Sequence, residues 1–133
     1  MSKQILKSGS PHKLYLGGKP EAEECYPFGE DVAVFKVRGK MYATFAIRSD
    51  GFANMNLKCE PMQALALRDV FEAVIPGYHM NKKHWNTVIL NGSVPAPEIE
   101  RMVDHSYALA AGGLKVADKR ALRALYGDEL LRP

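Results

Sequence analysis

The sequence predicts an α+β domain with two layers, an antiparallel sheet packed by helices, in the order α-β-β-β-α-β-β-α. Three observations predict it. Strand-like runs, the first rich in β-branched and aromatic residues and the next two alternating with period two, fill residues 32–58, interrupted by two short glycine-bearing links, Arg38-Gly39-Lys40 and Ser49-Asp50-Gly51. Helical patterns follow in Pro61 to Phe71, Ala96 to Ala110 and Val116 to Tyr126. A further strand-like run, Trp85 to Leu90, separates the first two helices, so strands are grouped and then interleaved with helices without repeated βαβ units.

Each element has local grounds. Ser8-Gly9-Ser10-Pro11 and Gly17-Gly18-Lys19-Pro20 are breakers. Residues 1–20 therefore read either as an irregular arm or as holding a short helix, capped by Ser10, with Pro11 in its first position and Leu16 near its end. The acidic segment of Glu21, Glu23, Glu24, Glu30 and Asp31 comes next. Val32 to Val37 is rich in β-branched and aromatic residues, and Met41, Ala43, Phe45 and Ile47 alternate with Tyr42, Thr44 and Ala46. The short link between these runs predicts a hairpin. Ala53, Met55 and Leu57 alternate with Asn54, Asn56 and Lys58, a half-buried third strand that completes a three-stranded meander. Pro61 suits a first helical turn, Ala64 to Leu67 favours helix, and Pro76-Gly77 lies beyond its end. Two further strands are expected: Trp85 to Leu90, bounded by Asn91-Gly92, and Val74 to His79 as its partner. In the next helix Ile99, Met102, Val103, Ser106 and Ala110 share one face. Arg101, Asp104 and His105 fall toward the other side, which makes His105 an exposed surface histidine. Gly112-Gly113 stops this helix, and Gly127 suits the C-cap of the last one.

Composition narrows the class. The chain has 133 residues, enough for a single domain with a buried core, in which residues 114–133 read as a C-terminal helical extension. Hydrophobic residues at 47% and charged residues at 25% exclude low-complexity, collagen-like and wholly disordered chains. Cys25 and Cys59 form no CxxC pair and are too few for a disulfide framework, so reduced thiols in the cytoplasm are expected. No apolar run approaches the roughly 18 residues of a membrane helix. Met1 to Ser10 lacks the apolar stretch of a signal peptide.

The net charge of +3 is modest, but the charges are unevenly distributed. Residues 32–59 carry Lys36, Arg38, Lys40, Arg48 and Lys58 against Asp50 alone. Residues 73–97 contain Lys82 and Lys83, flanked by His79 and His84, and no carboxylate. Brought to one side, these segments form a basic patch that phosphates would meet; left apart, they solvate a hairpin tip. The most distinctive stretch is Pro76-Gly77-Tyr78-His79-Met80-Asn81-Lys82-Lys83-His84-Trp85-Asn86. Lysine meets phosphate, asparagine hydrogen-bonds base edges, and Tyr or Trp stacks on exposed bases. The competing account makes Tyr78 and Trp85 buried strand-end aromatics. His79 and His84, even with Cys59, match neither HExxH nor zinc-finger spacing, so no metal is expected. Neither cysteine has an activating base beside it in sequence, and Gly17-Gly18-Lys19 lacks phosphate-loop spacing. No cofactor and no catalysis are expected.

Five ordered motifs carry a family likeness: Tyr26-Pro27-Phe28-Gly29; Phe35-Lys36-Val37 with Gly39-Lys40; Asn56-Leu57-Lys58-Cys59-Glu60-Pro61; the Pro76 to Asn86 stretch; and His105-Ser106-Tyr107. Over roughly residues 21–110 the chain resembles the MmcQ/YjbR family of small bacterial proteins. The resemblance implies a two-layer fold of the order given above, similar to the "double wing" DNA-binding domain and to frataxin-like and secretion-chaperone-like folds. It implies no catalytic residues. Two features depart from the family pattern. Ser8 to Pro11 and Gly17-Gly18 interrupt the opening amphipathic helix, and Glu60 stands where an aspartate usually precedes the helix proline.

The expected function is therefore nucleic-acid binding, to double-stranded DNA with weak sequence preference. Lys36, Arg38, Lys40, Lys58, Lys82 and Lys83 would meet phosphates, with Asn81, His84 and Trp85 at the groove or base surface. Two alternatives stand beside it. One is a chaperone-like protein-interaction module using an open sheet face or edge. The other is a small-ligand binder or enzyme with Tyr78, His79 and His84 lining a pocket. Monomer and dimer are both open.

Overall fold

A computed structural model describes residues 10–78 and 80–133. Helix α1 (Pro11–Gly17) is followed by strands β1 (Ala22–Cys25), β2 (Val32–Val37), β3 (Lys40–Ile47) and β4 (Ala53–Lys58). Then come helix α2 (Pro61–Val70), strands β5 (Val74–Pro76) and β6 (Trp85–Leu90), helices α3 (Ala96–Gly112) and α4 (Val116–Tyr126), and a 3-10 turn (Asp128–Leu131). The strands form one antiparallel sheet in the order β1-β2-β3-β4-β6-β5. The four helices lie against one of its faces, so the α+β two-layer expectation holds.

Between Ser10 and Gly18 the chain is helical, not an irregular arm. The Ser10 hydroxyl accepts the Lys13 N–H at 3.2 Å, and Pro11 fills the first turn, where no donor is needed. Ser8 and Gly9 lie outside the described residues. β1 is a strand that the alternation did not reveal. Its Glu23 and Glu24 are exposed, and pairing with β2 on one side alone makes it an edge. Two carboxylates on such a strand discourage further pairing and also erase the apolar period that marks a buried strand.

The β2–β3 hairpin turns at Arg38 and Gly39, with φ of 45° and 86°, the left-handed pair that a two-residue turn requires. A bulge follows. Phe35 faces Ala43 but Lys36 faces Met41, which leaves Tyr42 as the extra residue. Its ring turns into the core, edge-on to Tyr107 at 5.1 Å, and its hydroxyl donates to the Leu16 carbonyl at 2.6 Å. Around this pair lie Phe35, Phe45, Met55, Leu57 and Val88 from the sheet, Ile99 and Val103 from α3, and Leu122 and Leu131 from the C-terminal extension.

His105 corrects the sequence reading. It is buried, 8% exposed, and its Nε2 accepts the Glu60 N–H at 3.2 Å. The apolar stripe of α3 placed it on the outer side, but α2 packs on β5 and β6 beside α3, and the start of α2 covers His105. Burial, then the nearby Arg101 charge, hold the imidazole pKa below its usual 6.5, against the weaker pull of Glu60. The neutral ring is the form that accepts the backbone N–H. The unfolded chain therefore binds more protons below pH 6.5, and stability present above that pH falls as the pH drops. Melting temperature is expected to decline between pH 7 and 5.5, above the range where the carboxylates titrate. His105→Gln, which offers an acceptor without a proton site, is expected to flatten that decline. His12, also lowered by burial, accounts for the slope that remains. An unchanged slope in the variant would refute the assignment.

Candidate nucleic-acid interface

Strand alternation sorts the sheet into two faces. Ala33, Phe35, Ala43, Phe45, Met55, Leu57, Asn86 and Val88 point toward the helices. Val34, Lys36, Thr44, Asn54, Asn56, Lys58, Trp85 and Thr87 point the other way, onto a face that no described helix covers.

The connectivity brings the basic segments to one end of this face. β3 leaves the Arg38-Gly39 tip, β4 returns toward it, and Lys58 at the end of β4 is registered with Trp85 at the start of β6. The loop holding Lys82 and Lys83 enters β6 at that same end. At about 4.8 Å per strand, Lys36 on β2 and Trp85 on β6 are three spacings, roughly 14 Å, apart. Lys40, Lys82 and Lys83 are exposed, and Lys36 and Lys58 are half-buried along their stems. Glu23 is the registered neighbour of Lys36 on β1. The Glu60 carboxylate caps α2, accepting the Met62 and Gln63 N–H groups at 3.1 and 3.0 Å, which lowers its pKa.

Arg38 is placed differently from the lysines. Its Nε and Nη1 donate to Glu21 at 2.8 Å and Asp118 at 3.0 Å, tying the hairpin tip to α4. Two carboxylates already match its charge. Asn81 has a local task as well: its Oδ1 accepts the Lys83 and His84 N–H groups at 2.9 and 3.2 Å and so shapes the turn. The His84 carbonyl accepts the Cys59 N–H at 2.8 Å, extending the ladder beyond β4. His79 lies outside the described residues, so a Tyr78–His79–His84 pocket has no described geometry.

Tyr78 is fixed over β4 and β6. Its N–H donates to the Thr87 hydroxyl at 2.9 Å, its carbonyl accepts from the Asn56 amide at 3.5 Å, and Thr87 in turn donates to Asn56. The Tyr78 side chain is 65% exposed. Gly77 makes the crossing feasible, because a Cβ there would lie 2.8 Å from the Trp85 Cβ and 2.9 Å from its carbonyl oxygen.

Sequence reasoning missed Arg68. From α2 its Nε donates to the Asn86 side-chain oxygen at 2.7 Å, and Nη2 reaches the carbonyls of Trp85, at 3.5 Å, and Lys82. Asn86 is buried and donates to the Ala64 carbonyl at 3.4 Å. One guanidinium thus staples the lysine-bearing loop to the helix layer. An arginine inside Ala-Leu-Arg-Asp reads as solvated, and no local pattern marks it otherwise.

The arrangement offers little for catalysis at Cys59. Burial, then the Glu60 charge, push its thiol up to about 11, so it stays protonated. The cavity beside it, of about 10 Å³, has room for one water. Among the described residues no three His, Cys, Asp or Glu side chains gather to hold a metal, and no helix is long and apolar enough to cross a membrane.

Comparisons with known proteins agree with the fold. The chain is similar to the Escherichia coli O157:H7 protein YbdF, 34% identical over 106 residues that cover 78% of this chain and 84% of the relative. It is similar to YjbR of Escherichia coli strain K12, 34% identical over 108 residues, covering 81% and 90% respectively. Among solved structures it matches the Deinococcus radiodurans protein DR2400, with its DUF419 domain, at a TM-score of 0.74 and 35% identity, covering 82% of this chain and 83% of that one. The YjbR family model matches residues 17–109, from the end of α1 through most of α3, and on this extent and these identities the chain belongs to the YjbR family.

Proposed function

We propose that the chain is a nucleic-acid-binding domain whose contact surface is the basic end of the sheet face opposite the described helices. One observation carries the reading: three separate segments deliver Lys36, Lys58, Lys82 and Lys83 to the same end of the sheet, around Trp85, with Lys40 at that end but registered with Val37 on the helix side. Among the described residues none of the five is ion-paired, whereas Arg38 and Arg48 are. Unmatched cations gathered from distant segments suit a polyanion. Neutralising about five phosphates gives a log–log salt slope of roughly −4.5 on duplex or −3.5 on single strands.

The test is anisotropy of a labelled oligonucleotide titrated at several salt concentrations. Lys82→Glu combined with Lys83→Glu is expected to weaken binding by about tenfold or more and to flatten the slope by about two. Equal affinity and equal slope for the variant and the parent protein would rule out this surface. The protein-interaction reading has a different support, the exposed apolar side chains of Met62, Leu65 and Val70 along α2. It predicts association that is insensitive to salt and is lost on Leu65→Glu.

A further inference from the structure

We propose that this surface takes a single-stranded nucleic acid, with bases stacked on Tyr78 and Trp85, and not a duplex. The inference rests on the nucleic-acid reading above and narrows it.

Shape argues first. A duplex is read in its major groove by a narrow element, a helix or a two-stranded ribbon, because the groove is only about 12 Å wide. Here the lysines and aromatics are spread over a broad face. Lys36 to Trp85 alone spans about 14 Å, and the six-stranded sheet is about 24 Å across. The feature narrow enough to enter a groove is the β2–β3 tip, and its Arg38 is held back by Glu21 and Asp118 on the helix side.

The aromatic pair argues second. Trp85 and Thr87 are on the same side of β6, about 7 Å apart along the strand. The backbone of Tyr78 is bonded to Thr87 and to Asn56, which seats this residue on the face that carries the half-buried Trp85. Tyr78 is largely exposed although its backbone is fixed at both the N–H and the carbonyl, so a base stacking there would order little that is not already ordered. Lys58 stands opposite Trp85 in register, which places a phosphate-seeking charge beside a stacking ring. Base–aromatic stacking with flanking lysines is the general mode by which single strands are held, and unpaired bases are a requirement for it.

The experiment uses the full chain and three labelled probes of one sequence: a 12-nucleotide DNA strand, the same strand as RNA, and the DNA duplex. Both single strands are expected to bind at least about tenfold more tightly than the duplex at equal salt, with quenching of the Trp85 emission. Tyr78→Ala is expected to cost about tenfold or more of single-strand affinity while the salt slope and the melting temperature stay unchanged, and Tyr78→Phe is expected to retain that affinity. Duplex binding as tight as single-strand binding, still dependent on Lys82 and Lys83, would overturn this inference and leave the nucleic-acid reading standing. The same inference fails if Tyr78→Ala binds single strands like the parent, or if saturating single strand leaves Trp85 emission unmoved. Failure of all three probes to bind at micromolar protein would remove the nucleic-acid reading itself.

Discussion

Ser106→Ala is expected to cost about 2–4 kcal/mol of folding stability, a large effect for the loss of one oxygen atom. The Ser106 hydroxyl is fully buried, donates to the Tyr42 carbonyl at 2.6 Å and accepts the Lys58 N–H at 2.7 Å. Those two backbone groups belong to adjacent strands. They do not meet each other because the bulge at Tyr42 ends the regular β3–β4 ladder at the Ala43–Leu57 pair. The hydroxyl therefore occupies the place of a missing ladder bond. Alanine fits the space but leaves a buried donor and a buried acceptor unpaired, at about 1–3 kcal/mol each. Urea unfolding measures this: the midpoint should fall with the slope unchanged. A loss below about 1 kcal/mol would show that the strands close on one another without the bridge.

Replacing Arg68 should have a comparable cost and a second consequence. Arg68→Ala removes the donors that hold Asn86, Trp85 and Lys82, and hydrogen bonds to a charged group are each worth about 1.5–3 kcal/mol. We expect a loss of about 2–3 kcal/mol, allowing for the partial exposure of the side chain. The second consequence separates positioning from charge. Arg68→Lys keeps the cation but lacks the planar fork that serves several acceptors at once. It should lose most of the same stability, shift the Trp85 emission and speed exchange of the His84 amide. It should also weaken oligonucleotide binding even though Lys82 and Lys83 are intact. If Arg68→Lys matches the parent protein in emission and affinity, the loop is held by its own Asn81 turn and the staple is dispensable.

The motif His105-Ser106-Tyr107 gains a physical meaning from these contacts. Its three consecutive side chains each bind a different part of the backbone: Glu60 at the start of α2, the β3–β4 junction, and the Pro20 carbonyl ahead of β1, the last at 2.7 Å from the Tyr107 hydroxyl. A helix crossing a sheet at a bulge needs such polar pins, since the backbone groups freed there are out of reach of water. The motif marks how the layers are joined, and the surface proposed for binding lies on the opposite face.

Apart from β1 and the helix that follows Ser10, sequence alone determined which segments are strands and which are helices, because alternation and helical period are local consequences of burying one face. The meander, α2, β6, α3 and the Val116–Tyr126 helix follow from those periods, as do most of the side chains facing the helices, with Tyr42 and His105 as exceptions. The same local reading showed that residues 32–59 and 73–97 are basic. What a period does not contain is neighbourhood. Placing β6, and not β5, beside β4 is what sets Trp85 against Lys58 and brings Lys82 and Lys83 to the hairpin end. Tertiary structure likewise decided the fate of individual charges. Arg38 and Lys40 are alike in sequence, yet Glu21 and Asp118 converge on Arg38 from elements remote along the chain. Arg68 and His105 were turned inward by neighbours on other elements, and β1 became a strand because β2 offered it an edge. Each of these outcomes depends on long-range partners, and a side chain's partner is a property of the folded arrangement, not of the residues beside it.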